Sequence, residues 1–99
     1  MHVIKRRTLI EFYKRPGCRD SEGPLKAWFQ EAKSADWKSP ADIKKQYASA
    51  SILRNNRVVF NIGGNKYRLV VKINYVTKTV FIRFIGTHKE YDKIDAEVI

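Results

Sequence analysis

One cysteine, two histidines and three prolines are all that these 99 residues contain of those types. No apolar run approaches the roughly 20 residues that a membrane-spanning helix needs. The lone Cys18 cannot close an internal disulfide, and His2 and His88 stand in no cluster with metal-ligand spacing, so no zinc site is expected. Cys18 lies in Arg15-Pro-Gly-Cys-Arg19, where flanking arginines suit a reactive thiol, but it is read as a bystander in a turn. Residues 1 to 7 lack the apolar centre of a secretory signal, and the chain is expected to work in the cytoplasm. A Gly-x-x-x-x-Gly-Lys-Ser/Thr phosphate loop, a Gly-x-Ser-x-Gly elbow and an acidic cluster suited to Mg²⁺ are missing as well. No metal and no cofactor are expected.

Acidic residues are also scarce: 10 Asp and Glu face 20 Lys and Arg, a formal charge of +10. That excess on a short chain suits a polyanion, nucleic acid first, although an acidic protein or a membrane surface would be served by the same charge. What is present is enough for one core. With 43% hydrophobic residues, a chain of this length is expected to fold as one domain over residues 1–99.

His2 to Lys5 reads as a short strand. A helix follows, with Thr8 and Glu11 as a capping-box pair and Leu9, Phe12 and Tyr13 as its apolar face, ended by Pro16-Gly17. Leu25, Trp28, Phe29 and Ala32 recur at helical spacing after Ser21 and Pro24, predicting a helix to about Ala35 whose aromatics belong to the core rather than to a base-stacking platform. Ser39-Pro-Ala-Asp42 starts a short third helix to about Tyr47, on which Lys44 and Lys45 form a solvated face.

From Ala50 the period becomes two. Val58, Phe60 and Ile62 alternate with Arg57, Val59 and Asn61, and Ile52 and Leu53 before Asn55-Asn56 extend the sheet earlier. Gly63-Gly64-Asn65 turns the chain into Lys66 to Asn74, and Thr79 to Thr87 makes the next strand, with Val80, Ile82 and Phe84 opposite Phe81, Arg83, Ile85 and Thr87. A final helix of about Lys89 to Val98 would bury Tyr91, Ile94 and Val98. The expected fold is α+β: an antiparallel or mixed twisted sheet of about four strands, two to three helices packed on one face, and a short C-terminal helix.

The chemistry-bearing candidates lie on this sheet. Arg68 and Arg83 occupy neighbouring strands, and a guanidinium grips phosphate with two parallel hydrogen bonds, so the pair makes a clamp unless both are ordinary surface arginines. His88 follows the last strand directly and suits proton transfer, the bland alternative being a helix cap. Tyr91 lies one helical turn further, where packing competes with an exposed phenol. Arg57, Asn61, Asn65, Lys66, Lys72, Thr87 and Lys89 are the candidates for binding RNA around them. RNA cleavage can proceed without a metal because the substrate's own 2′-hydroxyl is the nucleophile, and cations with positioned acid and base groups suffice.

Phe60-Asn-Ile-Gly-Gly-Asn-Lys-Tyr-Arg-Leu69, followed by Thr87-His-Lys-Glu-Tyr-Asp92, closely resembles the HigB-type toxins of bacterial toxin-antitoxin systems, a branch of the RelE-like ribonuclease superfamily. The likeness runs from the opening Met-His-Val-Ile to Asp92. It implies a RelE-like fold, an mRNA endonuclease acting on translating ribosomes, growth arrest, and a HigA-type antitoxin that holds the toxin inactive and carries the operator-DNA binding. The family pattern lands on Asn61, Gly64, Asn65, Arg68, Arg83, Thr87, His88 and Tyr91. The basic, tyrosine-bearing C-terminal tail of some relatives has no counterpart here, since Asp95-Ala-Glu-Val-Ile99 is acidic and apolar. A non-catalytic RNA-binding or ribosome-associated module would need only the charge and the sheet face. Exposed aromatics interleaved with the basic strand positions are few, Phe81 being the main one.

Overall fold

Period-two alternation becomes a sheet once each strand finds a partner for its backbone. In the computed structural model, which describes residues 1–99, five strands form one mixed sheet. They are β1 (His2–Ile4), β2 (Ser51–Ile52), β3 (Arg57–Ile62), β4 (Tyr67–Asn74) and β5 (Thr79–Thr87), in the order β1-β5-β4-β3-β2. Only β1 and β5 run parallel; the remaining pairs are antiparallel. The fifth strand is the two-residue β2, hung from β3 by a turn in which Asn55 and Asn56 take φ of 59° and 61°, the left-handed pair that tight hairpins favour. Gly63 and Gly64, at φ 63° and 70°, open the β3–β4 turn that closes on the pair Ile62↔Tyr67.

Three helices cover one sheet face: α1 (Arg6–Tyr13), α2 (Glu22–Ser34) and α3 (Pro40–Gln46), with a 3-10 turn at Arg19–Ser21 leading into α2. Leu9, Phe12, Leu25, Trp28, Ala32 and Ile43 descend from them onto Val58, Phe60, Ile62, Leu69, Val71, Ile73, Val80 and Ile82 in one cluster of 19 buried residues. Phe60 is its hub, with Trp28, Trp37 and Tyr47 at ring-centroid distances of 5.4, 6.0 and 5.1 Å. The aromatics of α2 are thus core, although Phe29 stays half-buried at its rim. No helix is long and apolar enough to cross a membrane.

Several local expectations are corrected. The first helix starts at Arg6, entered through Lys5 at φ 70°, so Thr8 already lies in its first turn and forms no capping box with Glu11. Helix α2 begins one residue after Ser21, whose hydroxyl makes no cap bond and donates instead to the Cys18 carbonyl at 2.6 Å, and Cys18 is buried against the core. Ser39 caps α3 with no side-chain bond, while Asp42 accepts the Lys38 N–H at 2.9 Å.

In β5 the alternation changes phase. Val71 pairs with Ile82 but Val70 with Phe84, which leaves Arg83 as an extra residue. This bulge puts Ile85 in the core and Phe84 on the opposite face, the reverse of strict alternation.

The last helix is shorter than its apolar spacing implied. Helix α4 is His88–Tyr91 alone, and Val98 is 67% exposed. Asp95 restarts the chain in a separate turn: its carboxylate takes the Glu97 N–H at 3.1 Å and its carbonyl those of Val98 and Ile99, both at 3.2 Å. Such local bonds compete with helix continuation. The segment instead lies over the second sheet face, where Ala96 is buried against Val59 and Val70, flanked by Leu53, Phe84, Tyr91, Ile94 and Ile99. The face expected to be open and basic is therefore partly apolar and partly covered.

Candidate active site

Arg68 sits on the outer face of β4, opposite Asn61 on β3 and Gly86 on β5. One arm of its guanidinium donates to the backbone oxygens of Asn65 (3.0 Å) and Tyr67 (3.3 Å), and the other meets Nε2 of His88. Guanidinium carries donors only, so a hydrogen bond in this contact needs Nε2 as the acceptor. His88 is exposed at the first position of α4, so an imidazole and a planar cation are presented together to solvent at the end of β5.

The elements that hold His88 were only partly legible in the sequence. Thr87 and Glu90 form a complete capping box: the Glu90 N–H donates to Thr87 Oγ1 at 3.3 Å, and the Glu90 carboxylate accepts the Thr87 N–H at 2.9 Å. The same carboxylate accepts a bond from Arg15 at 3.2 Å, which ties α4 to the end of α1. The Thr87 N–H and then Arg15 hold the Glu90 carboxyl below the usual carboxylate range. Thr87 is thus a cap that starts α4 at His88. The Thr-x-x-Glu spacing of residues 87 to 90 was the available signal for Glu90; nothing local pointed to Arg15, 75 residues away.

Gly86 is a further residue that composition did not single out. A Cβ built there would lie 2.5 Å from Cζ of Phe84 and 3.1 Å from Oε1 of Glu90. The Phe84 ring lies across the glycine, beside Arg68. Gly86→Ala is expected to displace the ring or the cap and to cost about 1–3 kcal/mol in urea unfolding, the usual range for overpacking. A change below about 0.5 kcal/mol would show that the ring swings away freely.

The remaining candidates divide. Arg83 is exposed on β5 at the bulge beside Val70 and Val71, two to three residues along β4 from Arg68, and its Nε donates to the Ile99 backbone oxygen at 3.2 Å. Tyr91 is half-buried against the outer cluster, so its ring packs as the spacing suggested. Arg57 is only 8% exposed, its guanidinium donating to backbone oxygens of Asn55 and Ile99. Asn65, Lys72 and Lys89 are exposed, while Asn61 is half-buried with its amide at the Ser49 carbonyl, 3.4 Å away. Lys66 pairs with Asp20, which also accepts the Tyr67 hydroxyl at 2.6 Å. Lys66 and then Tyr67 draw the Asp20 carboxyl below its ordinary range, and the bridge fixes the β3–β4 turn against the 3-10 turn. The structure thus brings Arg68, His88 and Thr87 together, places Arg83 further along β5 at the bulge, and turns Arg57 and Lys66 toward partners within the chain.

Residues 21–94 match the HigB toxin family, the RelE-like toxic component of a toxin-antitoxin system. The chain is 31% identical over 96 residues to a protein of Escherichia coli O6:H1 named mRNA interferase HigB, an alignment covering 95% of this chain and 91% of that one. It is 29% identical over 94 residues to the mRNA interferase toxin HigB of Escherichia coli strain K12, covering 93% and 88%.

Proposed function

The chain belongs to the HigB family of RelE-like toxins, and on that premise we propose that it is an endoribonuclease that cuts mRNA, residues 1–99 forming a single toxin domain. The observation that carries this reading is the contact between Arg68 and His88 at the exposed end of β5. An RNA phosphate entering there meets a guanidinium that can grip two of its oxygens, with an imidazole in hydrogen-bond reach of the same group.

The reaction that suits this pair uses no group beyond the chain and the RNA. The 2′-hydroxyl attacks phosphorus, the new O2′–P bond forms as the P–O5′ bond breaks, and the products are a 2′,3′-cyclic phosphate and a 5′-hydroxyl. His88 exchanges the proton that must leave the 2′-oxygen and reach the 5′-oxygen. Arg68, with Arg83 as the second arm, balances the charge developing on the phosphoryl oxygens. Tyr91 steadies the outer surface beneath the substrate, and Asn61, Asn65, Thr87, Lys72, Lys89 and Lys66 line the RNA path.

In the cell this activity is directed at mRNA on the translating ribosome, in the cytoplasm. It arrests growth until a HigA-type antitoxin covers the toxin, and operator DNA is contacted only through that antitoxin. Induction of the chain alone is expected to stop growth and to create new 5′-hydroxyl ends within cellular mRNA; co-expression of the antitoxin removes both. Growth arrest with intact mRNA would replace this reading with that of a non-catalytic RNA binder.

A further inference from the structure

Arg57 and Arg83 converge on one acceptor. The Ile99 backbone oxygen takes Nε of Arg57 at 3.1 Å, Nη2 of Arg57 at 2.7 Å and Nε of Arg83 at 3.2 Å. No Asp or Glu side chain pairs with either guanidinium, although Asp92, Asp95 and Glu97 lie in the same segment. The Glu97 carboxylate instead accepts the Arg54 backbone N–H at 3.4 Å, and the Glu97 backbone oxygen the Asn55 side-chain amide at 3.1 Å. Three guanidinium donors around a single oxygen make a site for an anionic oxygen, and a guanidinium's fork matches phosphate.

The segment that fills this site is held by hydrogen bonds more than by burial. Of residues 95–99 only Ala96 is buried, and Val98 faces solvent. Segments with few buried apolar contacts and exposed backbone bonds open locally at low cost. The cradle also lies on the path already described. Arg57 pairs across β3–β4 with Lys72, four residues along β4 from Arg68, or about 13 Å, and Arg83 stands between them on β5.

We propose that Arg57 and Arg83 are a binding site for an RNA backbone phosphate, and that the 95–99 segment occupies it in the free toxin as a self-supplied competitor. RNA binding exchanges the Ile99 oxygen for a phosphate oxygen held by both guanidinium groups, and lifts the segment from Val59 and Val70. The proposal rests on the RNA-cleaving reading above for the identity of the ligand. It adds a restraint on the toxin that operates before any antitoxin binds.

The test compares the full chain with a chain ending at Ile94, each with Arg57 intact and as Arg57→Met. The probe is a single-stranded 2′-fluoro oligoribonucleotide, which lacks the attacking hydroxyl and so cannot be cut. Removing residues 95–99 is expected to tighten its Kd tenfold or more, and Arg57→Met to erase that gain. A shortened chain that keeps its circular dichroism but binds no tighter, or whose gain survives Arg57→Met, overturns the proposal. Should the shortened chain fail to fold, amide exchange on the full chain decides: the probe should accelerate exchange at Val98 and Ile99, and unchanged or slowed exchange overturns it. Cleavage of the matching 2′-hydroxyl RNA is followed in parallel. Segment-dependent binding without cutting removes the enzyme reading alone, whereas cutting with segment-independent affinity removes only the cradle.

Discussion

His88→Ala is expected to slow RNA cleavage by about 10²–10⁴-fold, the span that a positioned proton-transfer group contributes, while leaving thermal unfolding nearly unchanged. The asymmetry follows from the position of the residue. His88 is exposed at the first turn of α4, and the helix start is secured by Thr87 and Glu90 rather than by the imidazole. Its side-chain partner is Arg68, which keeps two backbone acceptors when the ring is removed. Arg68→Ala should cost about 10²–10³-fold by removing charge stabilisation from the phosphoryl oxygens. Because the two groups act on one phosphate, the double variant should fall well short of the product of the single effects. Single-turnover cleavage of a labelled RNA, beside growth after induction, gives the measurement. His88→Ala that still arrests growth and cuts at the native rate would move the proton transfer to another residue.

Phe60→Ala should have the opposite profile, a large loss of stability and no direct effect on chemistry. Phe60 is 1% exposed and touches the rings of Trp28, Trp37 and Tyr47, so truncation leaves a cavity walled by rigid aromatics that collapse poorly. The expected cost is about 3–5 kcal/mol, a large part of the 5–15 kcal/mol that holds a typical domain together. Urea denaturation should show a lowered midpoint with little change in slope. A loss under about 1 kcal/mol would mean that this cluster is not the core and would reopen the stacking-platform reading of the α2 aromatics.

These two residues mark how far sequence reading reached. Phe60 was legible as core because burial follows a local period: its neighbours at steps of two, Val58 and Ile62, are buried with it, and the helical spacing of Leu25, Trp28 and Ala32 supplied the opposing face. The cap signal at Thr87 and Glu90 was equally local, and it formed where the spacing allowed. The α1 capping box failed because Thr8 and Glu11 have the right spacing but β1 ends at Ile4, so the helix had already begun. The β5 pattern failed at Arg83 because a bulge is a property of two strands: only pairing with Val70 and Val71 reveals the extra residue.

The candidate site divides in the same way. Arg68 and His88 are candidates from motif and position, and the fold brings their side chains into contact across 20 residues. Arg15 and Arg57 behave otherwise. One meets Glu90 from 75 residues away and the other meets Ile99 from 42, and no spacing rule announces either.

By itself the sequence determined the positive charge, the order of helices and strands and most of the core residues, and it supplied Arg68 and His88 as candidates. Those properties are set by residue type and by periods of two and 3.6, which act over neighbours in the chain. Only the tertiary structure decided which cations are free. Arg68 and Arg83 stand on neighbouring strands, yet the folded-over 95–99 segment engages Arg83 and buries Arg57 while Arg68 turns to His88. That outcome depends on a segment breaking its helix at Asp95 and finding the apolar patch of Val59 and Val70, a match between surfaces that are remote in sequence.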